Sequence, residues 1–259
     1  MKIGTITIAT PFYNEEASLP DYFLRISELY RELELKGWQT TLLVIDDGSQ
    51  DCTLEKLKEF APSYPGTILV THPKNLGYGA SIKTALSVAY TEWVAFVDAD
   101  TNYDQRLILK LVDRLNEGVD IVNVSILAPG GHAGYRWQRH IISFTVSQCY
   151  KLFFRRLTKD VYTMTCGFRI YRRLIVPKIF PINDGFVATS EIMIRALKNK
   201  LRILEFPADN AKREHGKSKM HFLKTTYDHL SFILTVFLGQ LAPPAIISEH
   251  RARIHHVPN

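Results

Sequence analysis

The chain has 259 residues, of which 46% are hydrophobic and 22% are charged. This composition is typical of a globular protein with one large core, or with a domain of roughly 120 to 150 residues plus an accessory part, and it excludes a disordered or low-complexity chain. The three cysteines, Cys52, Cys149 and Cys166, are odd in number and form no CxxC pair. The sequence therefore indicates neither a disulfide framework nor a zinc site and favours a reducing compartment.

The net charge of +6 is unevenly distributed along the chain. Residues 1–123 carry 11 Lys and Arg against 18 Asp and Glu, residues 124–178 carry 10 against 1, and residues 179–259 carry 11 against 7. Basic surfaces attract nucleic acids, anionic lipid headgroups or phosphorylated substrates. The chain begins directly with strand-like residues, and its longest apolar stretch, 230–238, is far shorter than the ~20 residues of a membrane-spanning helix. We therefore expect neither a signal peptide nor a membrane span.

The first half of the chain alternates strands with helices. Strands are predicted over residues 3–9, 40–45, 67–71, 92–97 and 119–124, and helices from Ser18 to before Gly37, over 53–60, from the 74–80 loop to near Tyr90, and over 105–116. Pro11 is expected to end the first strand, and Ser18 to begin its helix with a capping-box pattern. Strands alternating with helices over short connections predict a mostly parallel sheet covered by helices.

Beyond residue 124 the alternation lapses. Residues 135–157 form a long candidate helix with basic and aromatic side chains, which suits either a membrane surface or an ordinary packing helix with solvated arginines. The further elements expected are a strand or turn over 166–173, a helix over 189–197, a strand over 201–206 and a helix over 220–238. The tail after residue 242 is expected to be irregular, and we assign its histidines, His255 and His256, no metal role.

Two predicted strands end in carboxylates. The apolar run 93–97 leads into Asp98 and Asp100, and the strand over 40–45 leads into Asp46 and Asp47. Ligands of open α/β sheets bind beyond the carboxyl ends of the strands. Because side chains two positions apart on an extended segment point the same way, Asp98 and Asp100 predict a site for a hard divalent cation that holds substrate phosphates. The alternative is that the pair caps the helix that follows.

Two loops have compositions that suit phosphate contacts. Gly77 and Gly79 are typical either of a backbone that approaches a phosphate or ribose closely or of a tight turn. Residues 212–219 combine several cations with a serine around a glycine. This segment suits a diphosphate clamp, and it also suits an ordinary solvated loop.

These motifs follow one another in a fixed order. They are residues 11–15, 46–51, 74–77, 98–100, 137–143, 167–169, Glu191 and 213–219. In this order and spacing they resemble the family 2 glycosyltransferases of GT-A fold, and more closely the branch of the dolichol-phosphate mannose synthases and polyprenyl-phosphate glycosyltransferases. The resemblance implies a Rossmann-like, mostly parallel sheet flanked by helices. It also implies a nucleotide-sugar-binding half (1–124), an acceptor-side half of the same domain (125–225), and a C-terminal amphipathic helix and tail (226–259).

The resemblance further implies roles for individual residues. The residues expected to bind the donor are Pro11, Tyr13, Glu15, Asp46, Asp47, Lys74, Asn75, Asp98, Ser218 and Lys219, with Asp46 reading the base. Mg²⁺ or Mn²⁺ is expected on Asp98, Asp100 and Asn102. The expected catalytic residues are Asp98, Asp100, Arg213 and Glu191, with Arg213 closing over the diphosphate beside Ser218 and Lys219. Arg139 and Arg169 are expected at the acceptor phosphate.

The implied activity is a metal-dependent, inverting transfer of a mannose- or glucose-type hexose. The donor would be a GDP- or UDP-sugar, and the acceptor a polyprenyl or dolichyl phosphate at the cytoplasmic membrane face. A phosphate monoester, with a second pKa of ~6, is already ionised at neutral pH, so it needs orienting arginines rather than a carboxylate base. Two departures from the family pattern, Ile126 in place of Arg and Thr163 in place of Asp, fall on the acceptor side.

Three alternatives remain at this point. The first is a family 2 glycosyltransferase that uses a saccharide or protein hydroxyl as acceptor, with Glu191 or another carboxylate as base. The second is a basic nucleic-acid-binding module, which is disfavoured because the acidic motifs stand at strand ends and no nucleic-acid motif is visible. The third is a catalytically inactive relative.

Overall fold

The computed structural model describes residues 4–99, 103–132, 137–209, 222–251 and 255–256. The strands are β1 (Gly4–Phe12), β2 (Trp38–Asp46), β3 (Ile68–Thr71), β4 (Trp93–Phe96), β5 (Ile121–Ser125), β6 (Arg169–Arg172), β7 (Ile203–Pro207) and β8 (His255–His256). Within these ranges they form one sheet in the order β7-β5-β6-β4-β1-β2-β3-β8. The pairings β1–β2, β1–β4, β2–β3 and β5–β7 are parallel, whereas β6 and β8 run antiparallel to their neighbours.

Helices cover both faces of this sheet. They are α1 (Leu19–Leu35), α2 (Thr53–Phe60), α3 (Tyr78–Val88), α4 (Ile108–Leu111), α5 (Trp137–Phe153), α6 (Val176–Ile179), α7 (Val187–Lys198), α8 (Phe222–Phe237) and α9 (Ile247–Arg251). One apolar cluster joins the sheet to α1, α2 and α4, and a second joins it to α3, α6 and α7. The predicted α/β class, a mostly parallel sheet flanked by helices, is confirmed.

The helix predicted over 105–116 is not continuous. α4 is a single turn between two 3₁₀ segments, Gln105–Leu107 and Val112–Glu117. Asp104 caps the first segment by accepting the N–H of Arg106 at 2.9 Å. Gly118, with φ of 71°, ends the last one. The apolar periodicity therefore located the segment correctly, but the prediction of one regular α-helix was wrong.

The direction in which strands are added reverses at β1. β2 and β3 lie on one side of β1, and β4 lies on the other. The registers Phe12↔Asp46 and Ala9↔Phe96 bring the carboxyl ends of β1, β2 and β4 to the same edge. In open α/β sheets the crevice at such a switch point is where ligands bind. Asp46 at the end of β2 and Asp98 after β4 both lie at this edge.

β1 continues through Pro11, where the sequence predicted a loop. Pro11 is in register with Ile45 of β2, whereas the pairing with β4 ends at Ala9. Proline has no N–H to donate, so it is tolerated where a strand has lost a neighbour on one side. β1 therefore carries Pro11 and Phe12 beyond the end of β4, toward the crevice.

The tail after residue 242 was expected to be irregular, but its described residues include two short elements, α9 and β8. α9 packs on α3, and β8 extends the sheet at β3 through Val70↔His256 and Thr71↔His255. An uncovered β3 would present unpaired backbone groups as an open sheet edge. The tail therefore closes this edge.

α5 and α8 pack on each other in a third apolar cluster with α7. Tyr150 of α5 is fully buried there, and its hydroxyl lies 3.2 Å from Nδ1 of His229 on α8. Burial lowers the pKa of His229 to about 4. Of the helices described, none combines the length and the hydropathy needed to cross a membrane.

We expect His229 to make the fold acid-sensitive. The pKa of His229 is about 4 in the folded protein and ~6.5 in the unfolded chain, so the unfolded chain binds the proton more strongly. The free energy of unfolding therefore falls as the pH drops from ~6.5 toward 4. The loss from this group is expected to reach about 2 kcal/mol between pH 7 and pH 4.5. Urea unfolding of the wild type and of His229→Asn at both pH values measures it. An unchanged pH dependence in the variant would contradict the assignment.

Candidate active site

The loops that follow β1 and β2 are tied to each other. The N–H of Asn14 donates to Ser49 Oγ at 3.0 Å, and the N–H of Glu15 donates to Thr53 Oγ1 at 2.9 Å. In the opposite direction, the N–H of Gln50 donates to Asn14 Oδ1 at 2.7 Å. These bonds fix the two loops as one wall of the crevice, on the side where the sequence predicted the nucleoside.

Three predicted donor residues, Pro11, Tyr13 and Glu15, lie half-buried along this wall. Ser18 Oγ donates to Glu15 Oε2 at 2.8 Å and makes no cap bond to α1. The predicted capping box is therefore wrong, because the serine hydroxyl is used to orient the Glu15 carboxylate.

Asp46 stands at the end of β2 with 1% of its surface exposed. Both carboxylate oxygens lie 3.3 Å from the N–H of Ser49, which is long for a charge-assisted hydrogen bond. Burial raises the pKa of Asp46. A short N–H donor from a ligand would stabilise its ionised form.

Asp47 lies beneath the 74–77 loop instead of opening onto the crevice. Its Oδ1 accepts the N–H of Leu76 at 2.8 Å and lies 2.6 Å from His72 Nδ1, while its Oδ2 accepts the N–H of Gly77 at 3.0 Å. The side chain is buried. The structure therefore corrects the prediction of direct donor contact: Asp47 positions the loop that carries Lys74.

Lys74 and Asn75 are exposed on that loop, next to the turn at Gly48. Gly48 has φ of +69°, and a Cβ on it would lie 2.3 Å from the carbonyl carbon of Lys74. Glycine is required here because the two backbones touch. Lys74 and Asn75 are thereby held beside the carboxyl end of β2.

Asp98, the first residue of the predicted metal pair, lies half-buried after β4. The Tyr78 hydroxyl donates to Asp98 Oδ1 at 2.7 Å. Burial, and then the Asp98 carboxylate, raise the pKa of Tyr78 well above its ordinary value, so the phenol keeps its proton and remains a donor. The Tyr78 ring stacks on Phe186 with centroids 5.0 Å apart and meets the edge of Phe96 at 5.6 Å. Asp98 is thus held by a rigid aromatic support.

Gly167 makes room for this support. A Cβ at Gly167 would lie 1.8 Å from the Tyr78 hydroxyl oxygen. The glycine of the Gly-Phe-Arg motif therefore serves the orientation of Asp98. Sequence reasoning missed Tyr78, because its position as the first residue of α3 shows only that it follows the glycine loop.

The remaining predicted donor-side residues are Asp100, Asn102, Arg213, Ser218 and Lys219, which lie outside the described residues. Within the described part of the chain, no three His, Cys, Asp or Glu side chains cluster as a metal site. Asp98 supplies hard carboxylate oxygens at the strand end, and the sequence places a second carboxylate two positions later. This donor chemistry fits Mg²⁺ or Mn²⁺.

Glu191 has 1% of its surface exposed and is fully engaged by the protein. Its Oε1 lies 2.6 Å from a guanidinium nitrogen of Arg195, and its carboxylate accepts the N–H groups of Ile182 at 2.9 Å and Asn183 at 3.0 Å. A general base must be within reach of a substrate proton. The prediction of Glu191 as a catalytic residue is therefore corrected: it fastens the loop before α7, which carries Phe186.

The same loop explains two of the glycines. Buried Lys83 pairs with the Asp184 carboxylate and donates to the carbonyl of Ile182 at 3.1 Å. A Cβ at Gly77 would lie 2.6 Å from the Asp184 carbonyl oxygen, and one at Gly79 would meet carbonyl oxygens of the same loop at 2.6 Å. The close approach that these glycines permit is thus to protein backbone.

Arg169 is the largest fully buried side chain among the described residues. Its guanidinium donates to Asn123 Oδ1 at 2.6 Å and to the carbonyls of Thr189 at 2.6 Å and Met164 at 3.0 Å. These bonds use its donors inside the protein, so the structure corrects the prediction that Arg169 contacts the acceptor phosphate. Arg169 ties the 163–166 segment and α7 to the sheet.

The other acceptor-side positions divide into two groups. Ser125 and Thr163 are buried, with their hydroxyl oxygens 2.7 Å apart, and Ile126 is buried beside them. The Thr163 hydroxyl is therefore used inside the fold. Arg139 lies within α5, and its side chain is outside what the structure describes.

Comparison with known proteins agrees with this geometry. Residues 7–180 match the sequence model of Glycosyl transferase family 2. The chain is 29% identical, over 247 residues, to the undecaprenyl-phosphate 4-deoxy-4-formamido-L-arabinose transferases of Salmonella choleraesuis and Salmonella paratyphi B, covering 93% of this chain and 71% of each relative.

The fold is that of a solved glycosyltransferase. The crystal structure of Mycobacterium tuberculosis glucosyl-3-phosphoglycerate synthase with Mn²⁺, UDP and glucosyl-3-phosphoglycerate superposes with a TM-score of 0.67 at 20% identity, covering 93% of this chain and 82% of that one. Another structure of the same enzyme gives 0.66 at 19% identity, with 93% and 82% covered. The sequence match and the shared fold confirm the family resemblance: the chain belongs to glycosyl transferase family 2 and is a glycosyltransferase of GT-A fold.

Proposed function

We propose that this enzyme transfers a hexose from a nucleoside diphosphate sugar to a polyprenyl phosphate. The observation that carries the proposal is the position of Asp46 and Asp98 at the carboxyl ends of β2 and β4, which lie at the same edge of the sheet, with Asp98 held by the Tyr78 hydroxyl. The relatives named as undecaprenyl-phosphate transferases support the acceptor class. They move a modified arabinose, and a panel of nucleotide sugars distinguishes that sugar from the hexose proposed for this enzyme.

On the donor side, the nucleoside is assigned to the wall formed by Pro11, Tyr13 and Glu15. Asp46 would accept N–H groups of a guanine or uracil base, which its burial and long protein hydrogen bonds support. UDP in the fold neighbour supports a uridine nucleotide. Lys74 and Asn75, exposed beside this turn, are assigned to the nucleotide.

The diphosphate is assigned to the end of β4. Asp98, Asp100 and Asn102 would hold Mg²⁺ or Mn²⁺, which would neutralise the charge of the departing nucleoside diphosphate. Mn²⁺ in the fold neighbour supports a divalent ion. Arg213, Ser218 and Lys219 are assigned to the same phosphates from the late basic loop.

On the acceptor side, the burial of Glu191 favours a phosphate over a hydroxyl. A hydroxyl nucleophile needs a positioned base, and the carboxylate that the sequence offered for this role is paired with Arg195. A phosphate monoester needs only cations to orient it. The basic segment 124–178, with Arg139 on α5, supplies them.

The α5–α8 pair is assigned to a membrane surface. Its exposed large apolar side chains are Phe144, Leu152, Phe153, Tyr227, Leu230, Leu234 and Phe237. The cations beside them, Arg155 and Arg156, are exposed. Exposed apolar groups with cations nearby in the chain suit peripheral binding to the headgroup region of the cytoplasmic membrane face, where a polyprenyl phosphate resides.

A transfer assay with matched acceptors tests this function. The protein is incubated with Mn²⁺ or Mg²⁺ and a panel of radiolabelled UDP- and GDP-sugars, in detergent with undecaprenyl phosphate or with undecaprenol, which lacks the phosphate. We expect label to enter the organic phase only with undecaprenyl phosphate. Label on undecaprenol or on a water-soluble saccharide would contradict the proposal and favour a hydroxyl acceptor.

A further inference from the structure

A chain of buried polar side chains runs from the candidate donor site to the C-terminal helix. His72 follows β3, and its Nδ1 lies 2.6 Å from Asp47 Oδ1. Its Nε2 lies 2.8 Å from Thr84 Oγ1 on α3, and that oxygen lies 2.8 Å from His250 Nε2 on α9. All four side chains are buried. We call this the Asp47–His250 chain.

The hydrogen bonds hold the groups of the chain in fixed orientations. The Asp47 carboxylate only accepts, so His72 Nδ1 carries a proton and donates to it. The Thr84 hydroxyl donates to the Ala80 carbonyl at 3.1 Å, and its oxygen lies between His72 Nε2 and His250 Nε2, 2.8 Å from each. Each group thus orients the next.

Each end of the chain is attached to a separate structural unit. At one end, Asp47 accepts the N–H groups of Leu76 and Gly77 and so holds the loop that presents Lys74. At the other end, His250 lies on α9, which packs on α3, and its ring is 6.1 Å from that of Phe180. The loop and α9 therefore share one hydrogen-bonded connection.

We propose that α9 sets the conformation of the 74–77 loop through the Asp47–His250 chain, with His72 as a positioning residue for the donor. The expected effect on donor affinity rests on the proposed function. The expected effect on the conformation of the 74–77 loop rests only on the hydrogen bonds of the Asp47–His250 chain. Loss of His250 or of the Thr84 hydroxyl frees His72 to turn, and Asp47 then loses the donor that orients its carboxylate toward Leu76 and Gly77.

Two substitutions at His72 separate its two bonds. The amide nitrogen of Asn occupies nearly the position of Nδ1, and the amide of Gln that of Nε2. His72→Asn therefore keeps a donor for Asp47 and loses Thr84, whereas His72→Gln keeps the contact with Thr84 and loses Asp47. His250→Ala removes the far end of the chain, and His250→Gln restores a donor at the Nε2 position.

The first readout is amide hydrogen exchange of residues 74–77 in the full-length protein without ligand. Exchange reports local opening independently of any nucleotide. We expect exchange at Leu76 and Gly77 to be about 10-fold faster in His72→Gln and in His250→Ala, which corresponds to a ~1.4 kcal/mol lower opening free energy. His250→Gln should stay closer to the wild type, and His72→Asn, which keeps a donor to Asp47 but loses the connection to Thr84, should fall between the wild type and His72→Gln. His229→Ala, a buried histidine outside the chain, is the matched control.

The second readout is the Kd for UDP and for GDP with Mn²⁺, measured by calorimetry on the same variants. The expected result is weaker binding in His72→Gln and His250→Ala, with recovery in His250→Gln. If the wild type binds neither nucleotide, the proposed function fails while the exchange readout still decides the inference. Equal exchange at Leu76 and Gly77 in His250→Ala and the wild type, or equal acceleration in His229→Ala, would overturn the inference.

Discussion

Replacing Asp98 with asparagine is expected to lower the transfer rate by about 10²- to 10³-fold and to leave the stability near that of the wild type. Asparagine keeps a carbonyl oxygen for the Tyr78 hydroxyl, which donates to Asp98 Oδ1 at 2.7 Å. It removes the negative charge that the proposed divalent ion requires. Initial rates of sugar transfer, together with urea unfolding of the same preparations, separate the two effects.

Two further variants test whether the loss of rate is specific to the charge of Asp98. Asp98→Ala also removes the acceptor of the buried Tyr78 hydroxyl, so it should cost a further ~1–3 kcal/mol of stability. Asp113→Asn changes a carboxylate that is 61% exposed and paired with Lys36 on the surface, and it should leave the rate unchanged. An Asp98→Asn enzyme that keeps most of its rate would remove Asp98 from the catalytic machinery.

Replacing Glu191 with alanine is expected to destabilise the protein by about 3–5 kcal/mol. The substitution leaves Arg195 buried without its carboxylate and removes the acceptor of the Ile182 and Asn183 N–H groups. A buried charge that loses its partner keeps its full cost of desolvation. Urea unfolding at neutral pH measures the loss.

Glu191→Gln distinguishes this structural role from that of a general base. A base would lose about 10²- to 10⁴-fold in rate without a large change in stability. We expect the opposite: a clear loss of stability and, at a temperature where the variant is folded, a rate within about 10-fold of the wild type. Glu191→Gln combined with Arg195→Met should recover stability, because it removes both charges of the pair. A stable Glu191→Gln protein without activity would restore the general-base role.

The sequence predicted the scaffold because its signals are local. α2 was expected over 53–60 and is found over Thr53–Phe60, and the acidic motifs do follow β2 and β4. Apolar periodicity and turn residues specify such elements without reference to distant parts of the chain. The carboxyl ends of these strands then meet at one edge as a consequence of the parallel topology.

The roles of the buried motif residues could not be predicted in this way. Asp47, Glu191 and Arg169 belong to motifs, and all three hold other segments in place. For Glu191 one local signal was present, since Arg195 follows at the i+4 spacing of a helical ion pair. For Asp47 and Arg169 the partners lie 20 to 46 residues away or come from backbone groups of other elements, and only the tertiary fold reveals them.

The C-terminal tail escaped prediction for a related reason. β8 has two residues and α9 has five, which is too short for hydrophobic periodicity to appear. Both elements form because α3 and the edge of β3 are available to them.

A crystal structure of the protein with Mn²⁺ and a bound UDP-sugar would locate the ion and the pyrophosphate. We expect the ion to lie between the Asp98 carboxylate and the pyrophosphate, with the uracil on the wall formed by the loops after β1 and β2 and within hydrogen-bond distance of Asp46. A pyrophosphate bound elsewhere, or an ion that does not touch Asp98, would contradict this expectation.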